Sequence, residues 1–177
     1  CNLRCRGCWA GKYQQMDRLE PELLNRILRE AKDLGIYWIV FSGGEPFAYP
    51  ELLDVVAEHP DLAFMAYTNG TLIYDKVADR LAELANFTPA ISLEGWREET
   101  DARRGEGVFD KIVATMDRLR ERGIFFGASV TVTRQNIDTI FSDEFIDFLV
   151  DKGAVYAWSF HYIPVGRGPN LDMMITP

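Results

Sequence analysis

After Cys8 the sequence contains no further cysteine; its three thiols all fall in the opening stretch CNLRCRGC. An odd count gathered at one end argues against the disulfide framework that staples small secreted domains. Histidine is almost as scarce. His59 and His161 are the two, both distant from the cysteines along the chain, with His59 expected on a surface helix before Pro60. A Cys₃His zinc site through His161 would lack the paired second half that such sites normally carry. Positive charge is in deficit: 19 Lys and Arg stand against 27 Asp and Glu, for a net charge of −8. That balance argues against a bulk electrostatic grip on nucleic acid or on an anionic membrane. No apolar run approaches the roughly eighteen residues a membrane span requires. Low-complexity stretches and internal linkers are also missing, so one domain over residues 1–177 is expected.

What is present alternates. Short apolar, aromatic or β-branched runs at Ile36–Ser42, Leu62–Tyr67, Ala90–Leu93, Ile124–Thr133 and Val155–Tyr162 read as strands covered on both faces. Between them lie helical patterns, such as Leu24, Leu28 and Ala31 ahead of Gly35, or Ile112, Met116 and Leu119 ahead of Gly123. Regular alternation of this kind predicts an α/β fold built on parallel strands, either a flat doubly wound sheet or a barrel-like arrangement. Each strand runs into a polar loop: SGGEP, TNG, SLEG, TRQN and PVGRG. Ligands in parallel α/β folds sit at the C-terminal strand ends, so five such loops suggest the floor of a binding site. The chain opens on Cys1 rather than Met and closes on Thr176-Pro177, which reads as the N-cap and first position of a helix. A segment cut from a longer polypeptide at both ends is therefore expected.

The cysteines fit an iron–sulfur cluster better than zinc. A cubane takes four thiolates, one per iron. Cys1, Cys5 and Cys8 supply three, leaving one iron open to a substrate or cosubstrate. Arg4 and Arg6 are expected to help offset the cluster's charge.

Cys1-x₃-Cys5-x₂-Cys8, followed by Gly43-Gly44-Glu45-Pro46 at a strand end, resembles the radical S-adenosylmethionine (radical SAM) superfamily. The likeness extends through the TNG, SLEG and PVG loops. The resemblance implies a partial (βα)₆ TIM-like barrel whose first strand would end just before Cys1 and is missing from this segment. It implies a [4Fe–4S] cluster on Cys1, Cys5 and Cys8 with S-adenosyl-L-methionine chelated to the open iron. Gly43, Gly44 and Glu45 match the segment that holds the methionyl amine. Ser92 and Glu94 match the ribose-binding position, with Glu94 one methylene longer than the Asp that relatives often carry. Arg104, with Arg103 as its competitor, matches the partner of the methionyl carboxylate. Val132 and Ile163-Pro164 match positions lining the adenine, and Asn69 matches a brace for the floor of the site. Where relatives usually place an aromatic residue before the third cysteine, this sequence has Gly7, and Trp9 is expected to take over the adenine packing.

By the same resemblance, one electron from a reduced cluster would cleave S-adenosylmethionine to methionine and a 5′-deoxyadenosyl radical, which abstracts hydrogen from a substrate. No general base is required, and no Asp, Glu or Tyr is assigned that role. The loops look most like the SPASM-like branch, which modifies peptides and matures cofactors. That implies a peptide, or a protein or cofactor precursor, as substrate, a ferredoxin- or flavodoxin-type electron donor and any auxiliary clusters outside this segment. A small-molecule or lipid substrate is the alternative within the family, with the aromatic run Tyr156, Trp158, Phe160, His161 and Tyr162 as a possible pocket, although core is the favoured reading of that run. A non-catalytic electron-transfer or metal-binding module is the alternative from another class. Thiolate-held clusters need a reducing interior, so a cytoplasmic location is expected.

Overall fold

The computed structural model describes residues 1–10 and 18–175; the helix start read at Thr176-Pro177 lies outside them. Five strands, β1 (Trp38–Phe41), β2 (Ala63–Thr68), β3 (Phe87–Leu93), β4 (Gly127–Val132) and β5 (Ala157–His161), pair in parallel and in sequence order. Helix α1 (Pro21–Asp33) precedes β1, and α2 (Leu52–Ala57) and α3 (Asp75–Leu84) cover the next two connections. Two helices, α4 (Arg97–Arg104) and α5 (Val108–Glu121), join β3 to β4; α6 (Ile137–Ile140) and α7 (Asp143–Asp151) join β4 to β5.

That strand order decides between the two architectures left open by the sequence. Parallel crossovers are right-handed, so steps that always advance to the next neighbour put every helix on the same face. A doubly wound sheet would need a reversal, and none occurs. The result is a curled, partial barrel. Its convex face buries Phe64, Ala66, Ile91, Leu93, Ala128 and Val130 beneath helix residues such as Leu81, Ile112, Met116 and Phe145. The residues of opposite parity, including Tyr67, Ser92, Ser129, Thr131 and Phe160, face the concave side.

Strands covered on both faces are therefore not what the chain builds. All of β5 is exposed, and Trp38 and Val40 of β1 are exposed too, because these are the outer strands and the helices cover one side only. The aromatic run read as core is likewise mostly open: Trp158 is 41% and Phe160 45% exposed, while Tyr162 is buried. Tyr156 serves a different end. Its hydroxyl bonds Thr88 Oγ1 at 2.8 Å, and its ring lies so close over Gly127 that a Cβ there would sit 2.3 Å from it. It closes the N-terminal end of the concave side.

Helix α4, REETDARR, has no apolar period for a sequence reading to find. Tertiary contacts hold it. Thr100 is buried and donates to Gly95 O, and Asp101 accepts from the N–H groups of Gly107 and Phe109 beyond the helix end. The surface position expected for His59 is also replaced: it is buried after α2, with Nε2 2.7 Å from Oδ1 of the buried Asn25.

Two predictions follow from these local features. Ala85 caps α3 at φ 55°, the left-handed region that a Cβ disfavours, and it is exposed. Ala85→Gly should stabilise the fold by about 1 kcal/mol, measured by urea denaturation. Burial of the His59 ring holds its pKa below the ordinary imidazole value. The unfolded chain then takes up a proton at a higher pH than the folded one. Stability is therefore intact above the unfolded value and declines as pH falls through it toward the folded pKa. Between about pH 7 and about pH 5, the unfolding midpoint of the wild type should fall more steeply than that of His59→Gln.

Candidate functional site

Residues 1–10 form no helix or strand, so contacts from elsewhere must set their path. Asn69 Nδ2 donates to Asn2 Oδ1 and Asn2 Nδ2 donates to Thr71 Oγ1, each at 2.8 Å. Arg6 N–H donates to Arg103 O at 2.8 Å, and Arg167 N–H to Cys8 O at 2.9 Å. Gly44 allows the SGGEP loop to pass directly against Cys1, where a Cβ would lie 2.9 Å from the Cys1 nitrogen. Gly43 has φ 129° with open space around it, a conformation that glycine adopts without strain.

Cys1, Cys5 and Cys8 all line one cavity of about 550 Å³ at the C-terminal ends of the strands, and none is in a disulfide. Among the described residues, no three His, Cys, Asp or Glu side chains gather round one point as a single ion would require. His161 lines the same cavity but does not complete such a set. Thiols that share one cavity without converging on a single point suit a cluster, where each sulfur binds a separate iron, rather than one tetrahedral zinc. The donor set fits a three-thiolate cubane.

Glu45 does not line this cavity. It is 5% exposed. Its Oε1 accepts from Thr68 Oγ1 at 2.6 Å and Phe47 N–H at 3.1 Å, and its Oε2 from Asn69 N–H at 2.8 Å. Burial pushes its pKa above the usual carboxylate value, while these hydrogen bonds pull it down. The carboxylate thus ties the SGGEP loop to the TNG turn, and Asn69 in turn holds Asn2 beside Cys1.

Glu94 is also turned away from the cavity, its side chain 1% exposed. It pairs with the guanidinium groups of both Arg103 and Arg104, the last residues of α4, and its Oε2 accepts from Thr131 N–H at 3.2 Å. Both arginines line the cavity, and neither Nε has a partner among the described residues. One carboxylate between two guanidiniums leaves a net positive charge on the cavity wall, where an anionic group would be stabilised. The cations facing the thiols are therefore Arg103 and Arg104; Arg4 and Arg6 do not line this wall.

Of the other expected site residues, Gly43, Gly44, Asn69, Ser92, Trp9 and Ile163 line the cavity. Val132 is buried in the convex core instead. The TRQN loop serves the frame: Asn136 Nδ2 donates to Glu94 O and Thr131 O, joining the ends of β3 and β4. Residues that loop motifs do not reveal also face the cavity, notably Tyr67, Ser129, Thr131 and Phe160. Tyr67 and Phe160 meet edge to face with centroids 5.5 Å apart. For Ser129 and Thr131 the signal was the small polar residues alternating inside GASVTV, a period of two within a run read as continuous.

Comparison with known proteins bears on this arrangement. Residues 1–148 match the family model described as the Radical SAM superfamily. The chain is 30% identical over 176 residues to Fe-coproporphyrin III synthase of Methanosarcina barkeri, covering 97% of this chain and 44% of that protein. It is 32% identical over 178 residues to mycofactocin maturase MftC of Mycolicibacterium smegmatis, again covering 97% and 44%. In fold it superposes on Streptococcus suis SuiB bound to S-adenosylmethionine with a TM-score of 0.83 at 23% identity, covering 100% of this chain and 41% of that one. SuiB bound to its precursor peptide SuiA gives 0.80 at 24% identity, covering 92% and 37%. The chain thus spans less than half the length of these relatives. Its match over most of its length, with three thiols, a GGE loop and a cationic wall around one cavity, places the chain in the radical SAM superfamily.

Proposed function

We propose that this chain is the catalytic core of a radical SAM enzyme that acts on a peptide. Cys1, Cys5 and Cys8 would hold a [4Fe–4S] cluster, with S-adenosylmethionine in the adjoining cavity. The observation that carries this reading is the convergence of all three thiols with Gly43, Gly44, Ser92, Arg103 and Arg104 on one cavity. Held there by the three thiols, a reduced cluster would supply one electron for cleavage of S-adenosylmethionine to methionine and a 5′-deoxyadenosyl radical. The chain's own residues bind and orient. Gly43 and Gly44 let the backbone reach the methionyl amine, and Ser92 offers a hydroxyl to the ribose. Arg104 and Arg103 attract the methionyl carboxylate, while Trp9 and Ile163 offer apolar surface to the adenine.

Glu45, Glu94 and Val132 act from behind the cavity wall: Glu45 by fixing Asn69, Glu94 by orienting the arginines, Val132 by filling the core under β4. Asn69 braces the cysteine loop through Asn2. The peptide substrate is supported by the cavity's open aromatic side at Tyr67 and Phe160 and by the precursor peptide on SuiB. A ferredoxin- or flavodoxin-type protein would deliver the electron. Among the described residues no helix is long and apolar enough to cross a membrane, and the thiolate chemistry suits the cytoplasm. A second reading, a carboxylated tetrapyrrole as substrate, is favoured by the similarity to Fe-coproporphyrin III synthase.

Cys5→Ala should abolish the cluster's visible absorption after anaerobic reconstitution, and with it 5′-deoxyadenosine formation. A wild type that assembles the cluster but never yields 5′-deoxyadenosine under strong reductant would leave an electron carrier in place of an enzyme. The substrate readings separate by which candidate, a peptide or a tetrapyrrole, stimulates 5′-deoxyadenosine formation. Arg104→Ala should weaken S-adenosylmethionine binding by about 1.5–3 kcal/mol, the range for a charged hydrogen bond, by isothermal titration. Glu94→Ala leaves two guanidiniums without their shared carboxylate and should cost about 3–5 kcal/mol of folding stability, by urea denaturation.

A further inference from the structure

We propose that the segment from Tyr162 to Asn170 is a strap that positions the third cysteine, with Tyr162 and Gly166 as its positioning residues. The inference rests on the reading of Cys1, Cys5 and Cys8 as cluster ligands and assigns a role to residues outside that set.

Tyr162 is buried although every residue of β5 before it is exposed. Its N–H donates to Val132 O at 2.9 Å, which fixes it to the end of β4. Its hydroxyl accepts from Asn170 N–H at 3.0 Å, so the far end of the strap closes back on the ring. The ring held between these bonds fills the space over Gly7. A Cβ on Gly7 would sit 2.7 Å from Tyr162 Cε2 and 2.9 Å from its hydroxyl oxygen. Gly7, at φ 65°, makes the turn between Cys5 and Cys8. The tyrosine ring thus occupies the volume that any side chain at position 7 would need.

Gly166 makes the second contact, on the other side of the same cysteine. At φ 85° it passes so close to the cysteine loop that a Cβ would lie 2.2 Å from Cys8 O and 2.5 Å from Trp9 O. The next residue, Arg167, donates its N–H to Cys8 O at 2.9 Å. Cys8 is therefore gripped before and after its own Cα by one segment. The beginning of the loop is anchored elsewhere, at Asn2 by Asn69 and Thr71 and at Arg6 by Arg103 O. A cubane accepts its thiolates only at fixed mutual positions, so a loop without internal structure must have each ligand placed from outside. Groups that orient metal ligands commonly govern affinity by about 10- to 100-fold.

The test uses the full-length holoenzyme, reconstituted anaerobically. Iron and sulfide per chain, the electron paramagnetic resonance spectrum of the reduced cluster and the rate of cluster loss to an iron chelator are measured, with circular dichroism for folding. Tyr162→Ala and Gly166→Ala should speed cluster loss by about tenfold and alter the spectrum. Tyr162→Phe keeps the ring and should stay within about twofold of wild type. Gly7→Ala should also lose cluster, and Gly7→Ala combined with Tyr162→Ala should lose less than the product of the two single effects, because removing the ring relieves the clash while the strain at position 7 remains. This pair decides the matter even where Gly166→Ala fails to fold. Wild-type retention and spectrum in folded Tyr162→Ala, or fully multiplicative losses in the double variant, would overturn the strap. A wild type that binds no iron and sulfide would instead overturn the cluster reading on which it rests.

Discussion

Three thiols on a stretch with neither helix nor strand must be placed by something other than their own backbone ladder. Here that placement comes from the segments that follow the strands: the TNG turn through Asn69 and Thr71, the end of α4 through Arg103, and the PVGRG loop through Arg167. Parallel strands curled into a partial barrel deliver those loops to one rim, and the helices on the convex face keep the rim rigid by burying apolar side chains there. The site is thus a property of the sheet's curvature as much as of its ligands.

Two buried carboxylates stand directly behind the cavity wall. Glu45 has its charge spread over two backbone N–H groups and a hydroxyl, while Glu94 sits between two guanidiniums. Burying a charge is costly unless it is compensated, and each of these is compensated in a way that aims another group at the cavity. Glu45 aims the TNG turn and Glu94 aims the end of α4. Neither can be replaced by an apolar residue without releasing the element it holds.

The strand-helix alternation and the cysteine spacing were legible because both are local: apolar runs, turn residues and a three-then-two interval read directly along the chain. The choice between sheet and barrel was not, since strand order appears only in the pairing. Glu45 and Glu94 were expected to face the ligand, but their orientation depends on partners distant in the chain, Asn69 and Thr68 for one and the paired arginines for the other, and both turn away from the cavity. Val132 and Ser129 lie on the same strand and differ only in parity, one in the core and one on the cavity, a distinction blurred inside a continuous apolar run. Helix α4 escaped notice because polar residues alone carry it.

Gly7, Gly44 and Gly166 touch the cysteine loop or its neighbours through bare backbone, at separations no side chain could share. A short synthetic peptide copied from the opening residues would carry the same donors and Gly7, but neither the backbone walls at Gly44 and Gly166 nor the Tyr162 ring. Transplanting the motif onto another scaffold therefore means moving three distant loop ends along with it, and the natural unit of inheritance for this centre is the whole rim.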